Sequence, residues 1–505
     1  MPTVRKDVEE ALRNGSPTFD LPSLSYNTFD DAAVTRRFLR KVDWRLIPIM
    51  FITYNFNFID KIILSSAAVF GLRTDTVRPL FLFLCANLHV TKHLVGQQYS
   101  WVSSIFYFGY LLWTYPTTIL IQRLPVGRYV SVNTIIWGFI VACTALCTNF
   151  GSLITARFLL GMVESTTTPA FVYITSTWYT REEIPFRTGT WFAGNSFGGF
   201  VASVLAYAIG KIKSPIAIWR WLFIIFGVAT GLWGIIMLFT LPDSVESSRF
   251  LDEEGKKHVL TKVSQAGTGR TNRTTSTWKS EQVVECLIDP KTWAFFGISI
   301  PNSGTQNFGN LVLEGFGFTN LETTLVGIPS SFISFFTILI TGWFAGKYSN
   351  ITCYLIVLVV LAPVAGSALI YSTKVDNGVK LFAYYLLATG PGALPLSMSL
   401  MTTNYKGVTK KMTMTAILFL AYCTGNIAGP QFFKTLEAPT YSTAFRSIMI
   451  CYALVIVEAL GLRLYLSWMN EKRQIKMLEN GISVETNEPD KDTTDWQSYD
   501  MLYRL

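Results

Sequence analysis

Apolar residues in this chain gather into long runs, and polar residues are confined to the stretches between them. Twelve runs of spanning length can be drawn, at about 46–68, 98–120, 129–149, 152–176, 188–210, 218–241, 292–314, 323–346, 352–372, 379–402, 413–435 and 444–467. Crossing the hydrocarbon core of a bilayer takes roughly 20 apolar helical residues, so each run predicts one transmembrane helix. The expected fold class is therefore an all-α membrane protein of twelve spans.

A polar stretch from Asp243 to Pro290 divides the spans six and six. That spacing predicts two six-helix pseudo-repeats related by an axis along the membrane normal. The expected domains are an N-terminal segment (1–45), a first bundle (46–242), a linker (243–290), a second bundle (291–468) and a tail (469–505). Within the linker, Ser264–Ser276 is Ser, Thr, Gly and Arg without an apolar face, which predicts a mobile tether. A short internal match sets Ala156–Leu160 in the fourth span against Ala383–Leu387 in the tenth, so that Arg157 corresponds to Tyr384 and Glu164 to Pro391.

Composition agrees with a polytopic membrane protein: half of the residues are hydrophobic and 15% charged. A net charge of +9 raises the question of nucleic acid, but the placement of the charge excludes it. Lys and Arg crowd the N-terminal segment (Arg36, Arg37, Arg40, Lys41, Arg45), the linker, and the loops at Arg123/Arg128, Arg181/Arg187 and Lys406/Lys410/Lys411. The alternate loops, around Asn149 and Glu314–Glu322, carry almost none. That asymmetry predicts a multi-pass protein with both termini cytoplasmic. The first forty residues are polar and mixed in charge, with no cleavable signal peptide in view, so the first span is expected to act as its own insertion signal. Seven cysteines, scattered and without a CxxC pair, give neither a disulfide framework nor a metal site, and no cofactor is expected.

The candidate chemistry lies in the charges that remain inside the spans. Arg157 and Glu164 stand seven positions apart in the fourth span, close to two helical turns and therefore on one face, roughly 10 Å apart along the axis. A charge at the bilayer centre costs roughly 2.5–3.5 kcal/mol on insertion scales, so such residues mark function by default. A guanidinium stacked with a titratable carboxylate points to anion binding coupled to a proton. Asp60 and Lys61 in the first span need partners as well, either as a snorkelling interfacial pair or with Asp60 facing Arg157 across a cavity. Glu164, with no cation within one turn of its own helix, is the stronger candidate for reversible protonation, and Asp60 for a clamped or exchangeable acid. Asn55 and Asn57 in the first span, Asn302, Gln306, Asn307 and Asn310 in the seventh, and Asn426 in the eleventh are candidate cavity-lining residues, although helix–helix hydrogen bonding accounts for the same pattern. Glu458 in the twelfth span faces Arg463 and is read as structural.

Several blocks, in order, resemble the major facilitator superfamily and, within it, the fungal allantoate permease family of anion:cation symporters. They are Asp43-Trp44-Arg45-Leu46, Gly96-Gln97-Gln98-Tyr99-Ser100-Trp101, Arg157–Gly161 with Glu164, Trp219-Arg220-Trp221, Asp289–Trp293, Gly425–Gln431 and the tail Asp492–Trp496. The resemblance implies import of a small organic anion or vitamin-like acid with protons, and it implies a coupling role for Asp60, Lys61, Arg157 and Glu164. It gives Lys61 a share with Arg157 in anion binding. Relatives often carry Asn and Gly-Asn where this chain has Ile63 and Ser65-Ser66, and Arg where it has Lys61, so substrate specificity does not transfer. Relatives also lack the segment Val77–Lys92, which is too short to span and too apolar for an external loop. It is read as a translated intron, with a hydrophobic lid as the alternative.

The expectation is thus a monomeric secondary transporter of the plasma membrane whose partners are a small organic anion, protons and the lipid bilayer. Export of a fungal metabolite and a non-transporting nutrient sensor are the competing readings. No catalytic constellation or nucleotide-binding loop points to an enzyme or a pump.

Overall fold

The apolar runs fold as helices, and the polar breaks between them become the turns. The computed structural model describes residues 28–67, 70, 72, 97–212, 215–265, 278–300, 312–313, 316–318, 320–372, 376–433, 437, 441–480, 493–498 and 501–505. Among the described residues the regular structure is helical, and each of the twelve runs coincides with a helix or a pair of helices.

Among the described residues, seven helical stretches are long and apolar enough to cross a membrane, including Val126–Thr144, Ile218–Thr240 and Thr352–Tyr371. Other spans depart from that for local reasons. The fourth breaks after Glu164, where Ser165 and Thr166 separate Phe150–Glu164 from Thr167–Trp178. Pro169, four residues after Ser165, has no N–H for the Ser165 carbonyl and its ring crowds that carbonyl, so the ladder lapses there, and Ser165 Oγ turns onto the Met162 carbonyl at 2.7 Å. The tenth is interrupted by a 3₁₀ turn at Gly390–Gly392, between Asn377–Leu387 and Ala393–Asn404, because Pro391 supplies no backbone N–H. The seventh begins as Pro290–Ser299, capped by Asp289 on the Lys291 amide. Val77–Lys92, Asn302, Gln306, Asn307 and Asn310 lie outside the described residues.

The first and last spans run well past the bilayer, as Thr28–Ala67 and Ser442–Asn480. The linker is helical on both sides of the stretch that lies outside the description, at Glu253–Gln265 and Ser280–Ile288. Val259 and Val263, one turn apart, bury an apolar edge of the first of these helices, and the second buries Cys286 and Gln282, whose Oε1 accepts from the Lys410 amide at 3.1 Å.

In the first half the third span packs along the sixth, the second along the fourth, and the first along the fifth. In the second half the ninth span packs along the twelfth and tenth, and the seventh along the eleventh and twelfth. The halves meet where the second span lies against the eleventh and the fifth against the eighth and tenth. Two glycines set how closely the first half closes. A Cβ on Gly161 would stand 1.9 Å from the Phe106 carbonyl oxygen, and one on Gly138 would stand 2.3 Å from the Gly231 nitrogen. Only glycine permits backbones to approach this far, the small-residue packing that membrane helices favour. The face that gathers Arg123, Arg128, Arg181, Arg187, Lys406, Lys410 and Lys411 is called the basic face below.

Candidate functional site

The helix Phe150–Glu164 starts at Asn149, whose side chain accepts from the Ser152 amide while Ser152 returns a bond to the Asn149 backbone. With that start fixed, Leu153, Arg157, Leu160, Gly161 and Glu164 form its buried face. Gly161 lets the second span press in, and Glu164 ends fully buried on the last turn before the break.

The first span supplies the partner. Lys61 Nζ lies 2.6 Å from Glu164 Oε1 and donates to Asn57 Oδ1 at 2.6 Å. Its ammonium also stands over the Phe106 ring, 5.8 Å from the centroid. Asp60, one residue earlier and so rotated by about 100° around the helix, turns away and accepts from Trp137 Nε1 of the third span at 2.5 Å. Arg157, also buried, sets its guanidinium over the Phe223 ring at 5.7 Å and acts electrostatically on both Asp60 and Glu164. Two acids and two bases from the first and fourth spans thus form one buried, charge-balanced cluster.

Arg157 is the foremost electrostatic partner of Asp60, the pairing the sequence reading put forward, whereas Lys61 pairs with Glu164, which that reading did not couple to it. Glu164 takes its cation from the neighbouring span instead of standing apart, and Lys61 serves Glu164 directly. Asp60 has a neutral donor, Trp137, which the sequence reading did not single out.

A cavity of about 160 Å³ opens between the halves beside Lys61. The first half lines it with Lys61, Ser65, Ser66, Asn195, Ser196 and Ser203, and the second half with Ser330, Ser331, Ser334, Tyr384 and Tyr422. Lys61 is the lone charged side chain among the described lining residues. Asn195 Oδ1 is buried with no hydrogen-bond donor on it among the described residues, while Ser196 Oγ donates to Ser334 Oγ across the two halves at 2.9 Å. The cavity is therefore a hydroxyl-rich chamber with one cation in its wall.

Lys61, expected to bind the anion, lines it; of the described residues expected to line it, none does so directly, and Asn57 meets it only through its bond from Lys61. Asn55 is half-buried, with its backbone against Gly198 of the fifth span. Asn426 is buried and donates to the Tyr422 carbonyl at 2.8 Å. The serines were passed over, although Ser330, Ser331 and Ser334 recur at helical spacing within an apolar run, the signal that would have found them. Tyr384, the residue matched to Arg157 by the internal repeat, does reach the cavity.

A second charged cluster lies on the basic face. Asp495 of the tail is buried against Lys291 Nζ, a close ion pair, and against Lys410 Nζ at 2.8 Å, and it accepts from Tyr503 Oη at 2.8 Å. Lys410 also reaches Glu285 at 2.7 Å and Asp289 at 3.1 Å. Burial opposes the charge on Asp495, but Lys291 and Lys410 outweigh it and hold the pKa down at about 2. Nearby, Arg181 Nε of the first half donates to the Thr403 carbonyl of the second at 2.9 Å, and Arg504 Nη1 donates to the Arg181 carbonyl at 2.7 Å. These bonds close the basic face beneath the cavity. No group of three or more His, Cys, Asp or Glu placed to hold a metal ion occurs among the described residues.

Comparison with known proteins fits this architecture. The family model described as Major Facilitator Superfamily matches residues 50–430. An uncharacterized transporter of Schizosaccharomyces pombe is 33% identical, over 94% of this chain and 90% of its own length. The allantoate permease of Saccharomyces cerevisiae is also 33% identical, over 93% of this chain and 86% of its own. Among solved structures, a proton:xylose symporter bound to 6-bromo-6-deoxy-D-glucose superposes with a TM-score of 0.60 at 13% identity, covering 84% of this chain and 95% of that one, a likeness of fold.

Proposed function

The chain belongs to the major facilitator superfamily and, within it, to the family of the fungal allantoate permease; from that premise we propose that it is a proton-coupled symporter of a small organic anion. The observation that carries the reading is the position of Lys61, whose ammonium stands in the cavity wall and at the same time 2.6 Å from the buried Glu164 carboxylate. The Glu164 carboxylate and a cargo carboxylate then compete for the same ammonium. When Glu164 is ionised it holds Lys61, and an arriving carboxylate finds the cation already satisfied. When Glu164 takes a proton the pair dissolves, leaving a buried ammonium that a cargo carboxylate can neutralise.

The energetics have the right scale for coupling. Removing one partner of a buried ion pair costs about 3–5 kcal/mol, because the other charge is left uncompensated. A bound anion recovers much of that cost, so protonation and binding favour one another. Arg157 and Asp60 keep the remainder of the cluster neutral through the cycle. The serines, Asn195 and Tyr384 offer the cargo's body both donors and acceptors, which suits a polar acid such as a ureido acid. The charge asymmetry of the loops supports a cytoplasmic basic face. One chain supplies both walls of the cavity, in keeping with a working monomer.

The test is uptake of labelled carboxylates (ureido acids including allantoate, nicotinate, pantothenate and short dicarboxylates) at pH 5 and 7, with and without a protonophore. Acid-stimulated, protonophore-sensitive uptake is expected, with Glu164→Gln retaining anion exchange and losing accumulation against a gradient. Full concentrative uptake by Glu164→Gln would refute the assignment.

A further inference from the structure

The buried cluster can in principle pair in two ways. Lys61 can serve Glu164 while Arg157 attends Asp60, or Lys61 can serve Asp60 while Arg157 attends Glu164. Lys61 and Asp60 are sequence neighbours, and the lysine side chain is long and flexible, so the second arrangement lies within reach. The structure adopts the first, and a neutral side chain accompanies the choice. Trp137 Nε1 donates to Asp60 Oδ2 at 2.5 Å, with the tryptophan 1% and the aspartate 3% exposed.

We infer that Trp137 is a positioning residue for the coupling: its indole N–H holds the Asp60 carboxylate away from Lys61 and so reserves that ammonium for Glu164 and the cargo. This inference rests on the symport reading above. Three observations support it. The indole has one donor and no acceptor, so it can anchor a carboxylate but cannot take a proton from the cluster. Its helix is fixed in place, because Gly138, the next residue, brings the third span against the backbone of the sixth at Gly231. Finally, Trp137 stands on a span that contributes no charge to the cluster, so it biases the pairing without altering the charge balance.

The groups that face the two acids are these. Asp60 has Lys61 beside it, Arg157 from the fourth span and Trp137 from the third. Glu164 has Lys61, Asp60 and Arg157, with the hydroxyls of Tyr54, Tyr107, Tyr110 and Tyr422 around it from the first, second and eleventh spans. With the indole donor gone, Asp60 is left one hydrogen bond short in a buried place, and Lys61, its sequence neighbour on a long flexible stem, can turn to supply it. Two carboxylates then share one ammonium, and either can take the proton.

Trp137→Phe keeps the ring and removes the N–H. The cargo-independent measurement is infrared difference spectroscopy of the purified full-length protein between pH 5 and 8, following the carboxylic-acid C=O stretch. Wild type is expected to show one buried titrating carboxyl, abolished by Glu164→Gln. Trp137→Phe is expected to show a second, abolished when Asp60→Asn is added. Uptake of the carboxylate that wild type transports should show a KM raised about tenfold, the scale of one charge-assisted hydrogen bond, with the pH profile broadened and the maximal rate less affected. Asp60→Asn alone keeps an acceptor for the indole, and it should fold and leave the Glu164 band in place. A Trp137→Phe protein with the wild-type spectrum and pH profile overturns the inference. A wild-type band that survives Glu164→Gln overturns the symport reading instead, since the Asp60 band is read separately from the variants at 60 and 137.

Discussion

Replacing Asp495 with Asn should unsettle the second half of the molecule more than any other single-atom change on the basic face. The carboxylate is fully buried and is shared by Lys291 and Lys410, which are themselves 1% and 0% exposed. Asn keeps the shape and an acceptor for Tyr503 but removes the charge, leaving two buried ammoniums facing one another with Asp289 and Glu285 as their remaining counter-ions. Removing one partner from a buried ion pair typically costs about 3–5 kcal/mol. The carboxyl's own titration gives a second estimate. Its pKa is held at about 2 against an ordinary 3.8, and a shift of nearly two units is worth about 2.5 kcal/mol. Because Asp289 and Glu285 stay in place, the lower values apply, and about 3 kcal/mol is expected. The sign with pH follows from the depressed pKa: the contribution is complete above pH 3.8 and disappears as pH falls through about 2. The assay is thermal unfolding of the purified protein, followed at pH 7 by reaction of buried cysteines with a thiol dye and between pH 4 and 2, where no thiolate is present, by loss of the helical circular dichroism signal. Cys286 lies beside the network, fully buried, its thiol pushed up to about 11 chiefly by burial, and it reports the loss of that packing. At pH 7 Asp495→Asn should become reactive at clearly lower temperature, and its stability should lack the wild-type decline between pH 4 and 2. A variant that melts within roughly 0.5 kcal/mol of wild type, the range of ordinary surface substitutions, would refute the reasoning.

Two further outcomes follow from the packing. Ser196 Oγ and Ser334 Oγ, 2.9 Å apart on opposite halves, should accept a disulfide as the pair Ser196→Cys and Ser334→Cys; oxidation should stop uptake and a reductant restore it, and transport that continues in the fully cross-linked protein would contradict relative motion at this contact. Gly161→Leu should separate the second span from the fourth, because a Cβ there would already sit 1.9 Å from the Phe106 carbonyl; aggregation on size exclusion and loss of uptake are expected, whereas Gly461→Ala, with nothing within 4 Å, should behave as wild type.

The spans were legible in the sequence because hydrophobic run length is a one-dimensional property, and the helices follow it to within a few residues at most ends. The break in the fourth span also had its signal, Pro169, which offers no N–H to the Ser165 carbonyl; the run extends through it because the residues around it are apolar or small. The four charges of the site were legible for the same reason that makes them costly, since any ionised group inside an apolar run stands out. Their pairing was not. Whether Asp60 or Lys61 faces Glu164 depends on how the first helix is rotated against the fourth, and that rotation is set by contacts such as Gly161 on Phe106 that involve no charge. The chamber's serines were masked by their ordinary character: a hydroxyl can satisfy itself on its own helix, as Thr341 does on the Thr337 carbonyl, and sequence does not separate that case from a hydroxyl turned into a cavity.

The distribution of strong and weak bonds bears directly on how such a molecule moves. The ion pairs described here lie within one half: Lys61 with Glu164 and Arg187 with Asp43 in the first, and Asp495 with Lys291 and Lys410 in the second. Between the halves the described contacts are of another kind. They are the serine pair at 196 and 334, Arg181 and Arg504 donating to backbone carbonyls, and aromatic contacts such as Phe200 with Phe332 at 5.0 Å. A hydrogen bond of this kind contributes about 0.5–1.5 kcal/mol net, or about 1.5–3 where one group is charged, whereas separating a buried ion pair costs several. Opening the basic face therefore requires only the weaker set to break, and water can satisfy each freed carbonyl. Under the symport proposal each half keeps its ionic interior and turns as a rigid body. On this account the charge cluster does not serve as the gate. Under the symport proposal, whether Lys61 is satisfied from within the first half or by cargo in the cavity sets how readily the weaker contacts between the halves give way.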